Sequence, residues 1–186
     1  MNARPSHTDS ELIEEARQGS HQAFKLLVER YQDQVAGVAI GMLGKTAEAE
    51  DVGQETFIRF YRSLHKFRKE AATGTYLTRI AINLCLDALK RRKKQQKEVS
   101  VLEAGPELLR LGSQEAQAQW EARELVYRAL DQLEAKHRTV ILLRMIEGYS
   151  TKETAQILQV PTGTVLSRLQ RGQQKLRAAL GKLMDT

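Results

Sequence analysis

A chain of 186 residues has room for one medium domain or two small ones, and an apolar share of 41% is enough to give each a packed core. The net charge of +6 directs the search for a partner toward a polyanion such as nucleic acid. The single cysteine, Cys85, excludes an internal disulfide and any multi-cysteine metal site, and no apolar run reaches the roughly 20 residues that a bilayer span needs.

Helical periodicity runs nearly end to end and strand signals are almost absent, which predicts an all-α fold. Residues 1–10 are polar and lack the apolar centre of a secretory signal, so a cytoplasmic location without membrane insertion is expected. Thr8 followed by Glu11 reads as a capping box that opens a first helix. A second helix begins near Ser20, with Phe24, Leu27, Val28, Tyr31 and Val35 on one stripe; Gly41 and Gly44 are read as a break after it. A third helix spans about 47–64, a loop containing Gly74 spans 67–75, and a fourth helix runs from about 76 into the basic run 90–94. The pattern then dissolves around Gly105, Pro106 and Gly112, and periodicity resumes near Glu115. The expectation is two small helical domains, 8–94 and 115–184, joined by a flexible linker at 95–114.

In the second domain, Ser150 and Glu153 make another capping box, and Ala155 and Leu158 give a short apolar face. Gln159, Val160 and Pro161 form a turn, because proline lacks the N–H needed to continue a helix. The next helix carries Val165, Leu169, Leu176 and Leu180 on its inner stripe. Two short helices across a tight turn form a helix-turn-helix, the geometry that lets a second helix enter a major groove. Thr164, Ser167, Arg168, Arg171 and Lys175 occupy its outer face: arginine can grip a guanine edge or a phosphate, and hydroxyls near a helix start suit phosphate. A plain surface helix with a solvated basic face fits the same pattern.

In the first domain, Asp51 and Glu55 lie one turn apart with Gln54 beside them. Such an acidic face suits a basic protein partner; equally, acids near a helix start complement its dipole. The fourth helix has Leu77, Ile80, Ala81, Leu84 and Ala88 inside, with Arg79, Asn83, Lys90 and Lys94 along a face that could follow a nucleic-acid backbone. Its basic end could also simply stabilise its own C-terminal dipole. The loop ahead of it combines Arg68 and Lys69 with Phe67 and Tyr76 at its edges, a mixture suited to unstacked single-stranded bases.

Three segments taken in order resemble one known family. AEDVGQETFIRFYR at 49–62 resembles the polymerase-binding helix of the extracytoplasmic-function (ECF) group of bacterial sigma factors, within the sigma-70 family. YLTRIAINLCLDALKRR at 76–92 resembles that group's promoter-melting segment. ALDQLEAKHRTVILLRMIEGYSTKETAQIL at 129–158, with VPTGTVLSRLQRGQQKLR at 160–177, resembles its C-terminal DNA-reading domain. The resemblance implies an alternative sigma factor that binds core RNA polymerase and directs promoter recognition, melting and transcription initiation. It implies that Asp51, Gln54, Glu55 and Arg59 contact a coiled coil of the polymerase's largest subunit. Phe67, Arg68, Lys69 and Tyr76 would border a pocket for a flipped non-template base at the minus-10 element, with Arg79, Asn83, Lys90 and Arg91 holding the DNA. Thr164, Ser167, Arg168, Arg171 and Lys175 would meet the minus-35 element, and an anti-sigma factor is implied as regulator.

Two positions depart from the family's pattern. Tyr76 stands where tryptophan is frequent, and Leu166 stands where lysine is frequent, which removes a phosphate contact. Gly172, inside the second helix of the pair, costs about 1 kcal/mol relative to alanine and permits either a bend or close packing. Other readings are a helix-turn-helix regulator that binds duplex DNA as a dimer, and an all-helical protein-binding module. His7, His21, His65 and His137 are scattered and no nucleophile has a recognisable setting, so no enzymatic activity, cofactor or metal is expected.

Overall fold

A computed structural model describes residues 7–67, 72–98 and 124–184, and every regular element among them is helical. Helix α1 (Asp9–Arg17) opens on the expected capping box: the Glu11 N–H donates to the Thr8 hydroxyl at 3.3 Å, and the Thr8 N–H donates to the Glu11 carboxylate at 2.7 Å. Helix α2 (His21–Leu43) starts from Ser20, and α3 (Ala47–Ser63) starts from Thr46, each cap accepting a backbone N–H. A 3-10 turn (Leu64–Lys66) leads out of α3, and α4 (Thr73–Glu98) completes the N-terminal group.

These four helices close around Leu12, Leu27, Val38, Met42, Phe60, Leu77 and Ile82, all fully buried. Burying each such side chain contributes about 1.5–3 kcal/mol. Phe60 anchors an aromatic cluster, with ring centroids 6.1 Å from Phe24, 5.8 Å from Phe67 and 6.0 Å from Tyr76. Cys85 is fully buried in the same core, and burial, aided by the Glu48 charge, pushes its thiol up to about 12.

Two expectations are corrected here. Gly41 does not break α2; the helix continues to Leu43 and ends on Gly44, whose φ of 73° suits glycine. Gly41 serves packing instead, since a Cβ built there would lie 2.4 Å from Leu142 Cδ1. Helix α4 begins at Thr73, ahead of the expected 76, and continues through the basic run at 90–94 to Glu98. Its early start accommodates Gly74, where a Cβ would come within 3.0 Å of Gln34 Oε1. Its extension follows from lysine and glutamine, which are good helix formers. The remainder of the expected linker, and the restart near Glu115, lie outside the described residues.

The C-terminal group comprises helical residues 124–131 (α5), α6 (Ala135–Ile141) continued by a π turn (Leu142–Ile146), α7 (Thr151–Leu158) and α8 (Thr162–Met184). Every residue from His137 to Leu143 is buried. Beyond its first two residues helix α6 therefore has no exposed face: α8 covers one side, and α2 and α4 approach from the other. Gly172 lies where α8 crosses α6, and a Cβ there would be 3.0 Å from Ile141 Cγ1 and 3.4 Å from the His137 carbonyl. Close packing, then, is the role of this glycine. Gly172→Ala is expected to lower the melting temperature, because overpacking costs about 1–3 kcal/mol and outweighs the helix-propensity gain of about 1 kcal/mol. A circular-dichroism melt checks this, and an unchanged or raised midpoint would mean that Ile141 yields without cost.

The two groups are docked on one another through α2 and α4. Arg138 of α6, 6% exposed, donates to the Met42 carbonyl at 2.7 Å and to the Asp131 carbonyl at 2.6 Å, and pairs with the Asp131 carboxylate at 2.8 Å. The last turn of α2 contains no basic residue of its own. Arg138, together with Arg92 of α4 at 3.4 Å from the Leu43 carbonyl, brings positive charge to that helix end. On the far side of the junction, the Tyr149 hydroxyl lies 2.8 Å from Thr78 Oγ1 and accepts a bond from Gln34 Nε2.

Candidate functional site

Helix α3 presents one exposed stripe. Asp51, Gln54 and Arg59 are exposed, Glu55 is half-buried, and Arg59 Nε donates to Glu55 Oε1 at 2.8 Å. Ile58, 45% exposed, sits among them at the same helical spacing. Sequence reasoning missed it because attention went to the aromatic residues beside it. The spacing 51, 54/55, 58 was the available signal. A large exposed aliphatic side chain on a stripe of polar residues is an anchor with a polar rim, as protein interfaces require.

The second surface lies at the start of α4. Phe67 is only 6% exposed and belongs to the aromatic cluster, so in this arrangement its ring is not offered to a base. Tyr76 packs on Phe67 with centroids 4.8 Å apart, donates its hydroxyl to Ser63 Oγ at 3.2 Å, and carries the Arg79 guanidinium 5.1 Å from its ring centroid. Tyrosine here is thus a half-buried packing residue with a cation over its ring. Asn83 is exposed on the next turn, while Arg68 and Lys69 lie outside the described residues. Further along, Lys90 pairs with Asp87 at 3.2 Å, Arg91 lies 3.7 Å from Glu48, and Arg92 binds the same Glu48 at 2.6 Å.

Sequence reasoning also missed the groups that hold both ends of the 67–75 segment. Arg17 Nε donates to the Leu64 carbonyl at 2.9 Å, and its guanidinium also reaches the Phe67 carbonyl. At the other end, Asp9 accepts from Tyr31, Thr73 and Arg30. Burial works to raise the Asp9 pKa, but those three hydrogen bonds and the Arg30 charge hold it below the usual aspartate value. Burial and the Asp9 charge push the Tyr31 hydroxyl up to about 12. Separations of tens of residues hide these ties from any local pattern.

The third surface is the helix-turn-helix, α7 and α8. The Glu153 N–H donates to Ser150 Oγ at 3.2 Å and the Ser150 N–H to Glu153 Oε2 at 2.8 Å, as the capping pattern predicts. Gln159 turns the chain in the left-handed region at φ 54°. On α8, Ser167 and Arg171 are exposed, Thr164 is half-buried, and Ser167 Oγ donates to the Thr164 carbonyl at 3.1 Å. Lys175 is tied to Glu134, and hydrogen bonds from Lys136 and Lys175 bring that carboxyl down to about 2. Arg168, half-buried, lines a cleft of about 330 Å³ between the two helical groups, beside Leu86, Leu89 and Lys93 of α4 and Leu158 of α7. At about 100° per residue the five expected minus-35 residues fall within an arc of about 100° on α8, with Arg168 at its cleft-facing edge. Among the described residues no cluster of histidine, cysteine or carboxylate could hold a metal, and no helix is long and apolar enough to cross a membrane.

Comparison with known proteins gives a consistent picture. The profile of Sigma-70 region 2 matches residues 27–95, and that of Sigma-70, region 4 matches residues 123–176. The chain is 35% identical over 184 residues to the RNA polymerase sigma-H factor of Pseudomonas aeruginosa, covering 95% of each chain. It is 35% identical over 180 residues to the ECF RNA polymerase sigma factor SigW of Bacillus subtilis, covering 92% of this chain and 96% of that one. Among solved structures, it is similar to CnrH in complex with the cytosolic domain of CnrY, at 27% identity and a TM-score of 0.69, over 94% of this chain and 97% of that one. The fold is also shared with the sigma factor RpoE of Bartonella quintana in complex with the anti-sigma factor NepR, at 22% identity and a TM-score of 0.68, over 85% of this chain and 96% of that one.

Proposed function

The chain belongs to the sigma-70 family, in its extracytoplasmic-function group, and from that membership we propose how its three surfaces divide the work of starting a transcript. It is an alternative sigma factor: it binds core RNA polymerase and directs transcription initiation at its own promoters. The observation that carries this reading is the ordered pair of region 2 and region 4 matches, within 35% identity spanning 95% of the chain. The first domain ends with α4 and the second begins by α5, so region 2 takes polymerase and the minus-10 element while region 4 takes the minus-35 element.

Polymerase docks on the α3 stripe of Asp51, Gln54 and Glu55, with Ile58 at its centre. The minus-10 element meets the segment anchored by Arg17 and Asp9, where Tyr76, Arg79 and Asn83 face an unstacked base. Trapping that base outside the duplex offsets the few kcal/mol of unstacking. The minus-35 element meets α8. Two weak DNA sites become one strong site when docking on polymerase fixes their separation. None of these steps requires a catalytic group, a cofactor or a metal, and the chain works in the cytoplasm, where polymerase is.

The elements lie some 25 base pairs apart, about 85 Å along B-DNA at 3.4 Å per pair. Surfaces that are packed together through α2, α4 and the π turn must part to reach both. An anti-sigma protein is a natural partner for the docked form; the sigma factor RpoE of Bartonella quintana, which shares this fold, was solved in complex with the anti-sigma factor NepR.

In vitro transcription with core polymerase, this chain and a library of genomic fragments tests the assignment. Initiation at a shared two-element motif is the expected result; failure to bind core polymerase would return the dimeric regulator to the front. Arg171→Ala is expected to cost about 1–3 kcal/mol in promoter affinity and to relax preference at one minus-35 base pair. Holoenzyme gel shifts over single-base variants read this, and an equal loss on every sequence would make Arg171 a phosphate contact.

A further inference from the structure

Helix α8 buries Val165, Gly172 and Ala179 against the rest of the second domain, with Leu169 and Leu176 partly covered. At about 100° per residue, the side opposite that stripe carries Gly163, Leu166, Ser167, Gln170 and Gln174. All five are exposed, and Leu166 is 55% so. A lone exposed leucine is ordinary. This one differs in its place and its neighbours: it projects from the early turns of the helix that a helix-turn-helix inserts into the major groove. One turn before it, Gly163 has nothing within 4 Å of a Cβ built on it, which leaves the backbone free to approach DNA closely. One turn after it stands Gln170, at the i,i+4 spacing that sets two side chains next to each other. Arg168 lies about 160° around the helix from Leu166 and lines the interdomain cleft, so the two cannot address the same base edges.

We propose that Leu166 and Gln170 form a reader for an A·T step in the minus-35 element, with Leu166 covering the 5-methyl group of a thymine and Gln170 making paired hydrogen bonds to a neighbouring adenine. The chemistry follows from the groove. Thymine alone presents a methyl group there, and adenine presents an N7 acceptor beside an N6 donor, which a carboxamide matches in both senses. Exposed Arg171, next to Gln170, adds a cation that positions the pair against phosphate or a flanking guanine. The proposal rests on the sigma-factor reading and adds to it a base preference written in this chain's own side chains.

The test uses holoenzyme and a promoter from the genomic library. Each minus-35 thymine is replaced singly by deoxyuridine, which lacks only the methyl group, and each adenine by 7-deazaadenine. With the unaltered chain, one deoxyuridine is expected to lower promoter affinity about fourfold, the scale of one buried methyl group. With Leu166→Ala, affinity for the thymine promoter should fall by a similar factor and the deoxyuridine effect should vanish. Gln170→Ala should abolish the response to 7-deazaadenine within one base step of that thymine. Leu166→Lys should steepen the salt dependence by about one ion while erasing the methyl effect. All these side chains are exposed, so the variants should melt like the parent. Specific initiation with every deoxyuridine neutral, or with Leu166→Ala still sensitive, would overturn the reader and leave the sigma assignment standing. An absence of specific initiation on any fragment would overturn both.

Discussion

Arg138→Met should destabilise the protein by about 2–4 kcal/mol, the largest effect expected from any single side chain outside the apolar core. The guanidinium is almost wholly buried and donates to the carbonyls of Met42, Asp131 and, at 3.4 Å, Leu133. Leaving a buried carbonyl without a donor costs about 1–3 kcal/mol, and methionine leaves two of these strongly bonded groups bare. The ion pair with Asp131 is the lesser part, since the Asp131 side chain is 56% exposed and water screens it. Burial draws the Arg138 pKa below its ordinary value, and the nearby Asp131 charge works against that. Asp131→Asn should therefore cost under about 1 kcal/mol. Arg138→Lys should recover only part of the loss, because one ammonium cannot span carbonyls on two helices. Denaturant melts of the three variants decide it: a methionine variant as stable as the parent would mean that water satisfies both carbonyls.

The second large effect belongs to function. Ile58→Ala and Asp51→Lys should each weaken core polymerase binding by about 2 kcal/mol, roughly 30-fold, as central interface residues do. Neither should move the melting temperature, for Ile58 is 45% exposed and Asp51 lies on the same open stripe. Glu55 is the weaker choice for this experiment because its carboxylate is already engaged by Arg59. Fluorescence titration against core polymerase provides the readout. A loss below twofold for both variants would put the polymerase contact on another face.

What the sequence revealed, and what it hid, follows the range of the forces concerned. Both capping boxes were legible at Thr8 and Ser150, because a cap and its partner are three residues apart. The helix-turn-helix was legible for the same reason: a turn residue, a proline and two short stripes are local facts. Gly41 was misread because the reason for a glycine there, Leu142, comes from a different part of the chain. Arg138 was passed over in a charged run, because the carbonyls it binds on Met42 and Asp131 belong to other helices and leave no local pattern. Phe67 shows a nearer tie. An aromatic residue beside cations suits a stacked base, yet Phe60 and Tyr76 were near enough to claim it for the core. Periodicity finds the stripe that must be covered; it does not say which element does the covering.

The burial of Cys85 has a practical consequence. Buried and with its thiol pushed up to about 12, Cys85 supplies almost no thiolate at neutral pH, so disulfide reagents find no reactive thiol in the folded chain. As the chain has only one cysteine, each alkylation event in a labelling experiment records one excursion in which the first domain opened. The chain thus carries its own reporter of native-state breathing: the labelling rate, free or bound to polymerase, gives the population of the open state, and at saturating reagent the lifetime of the closed core.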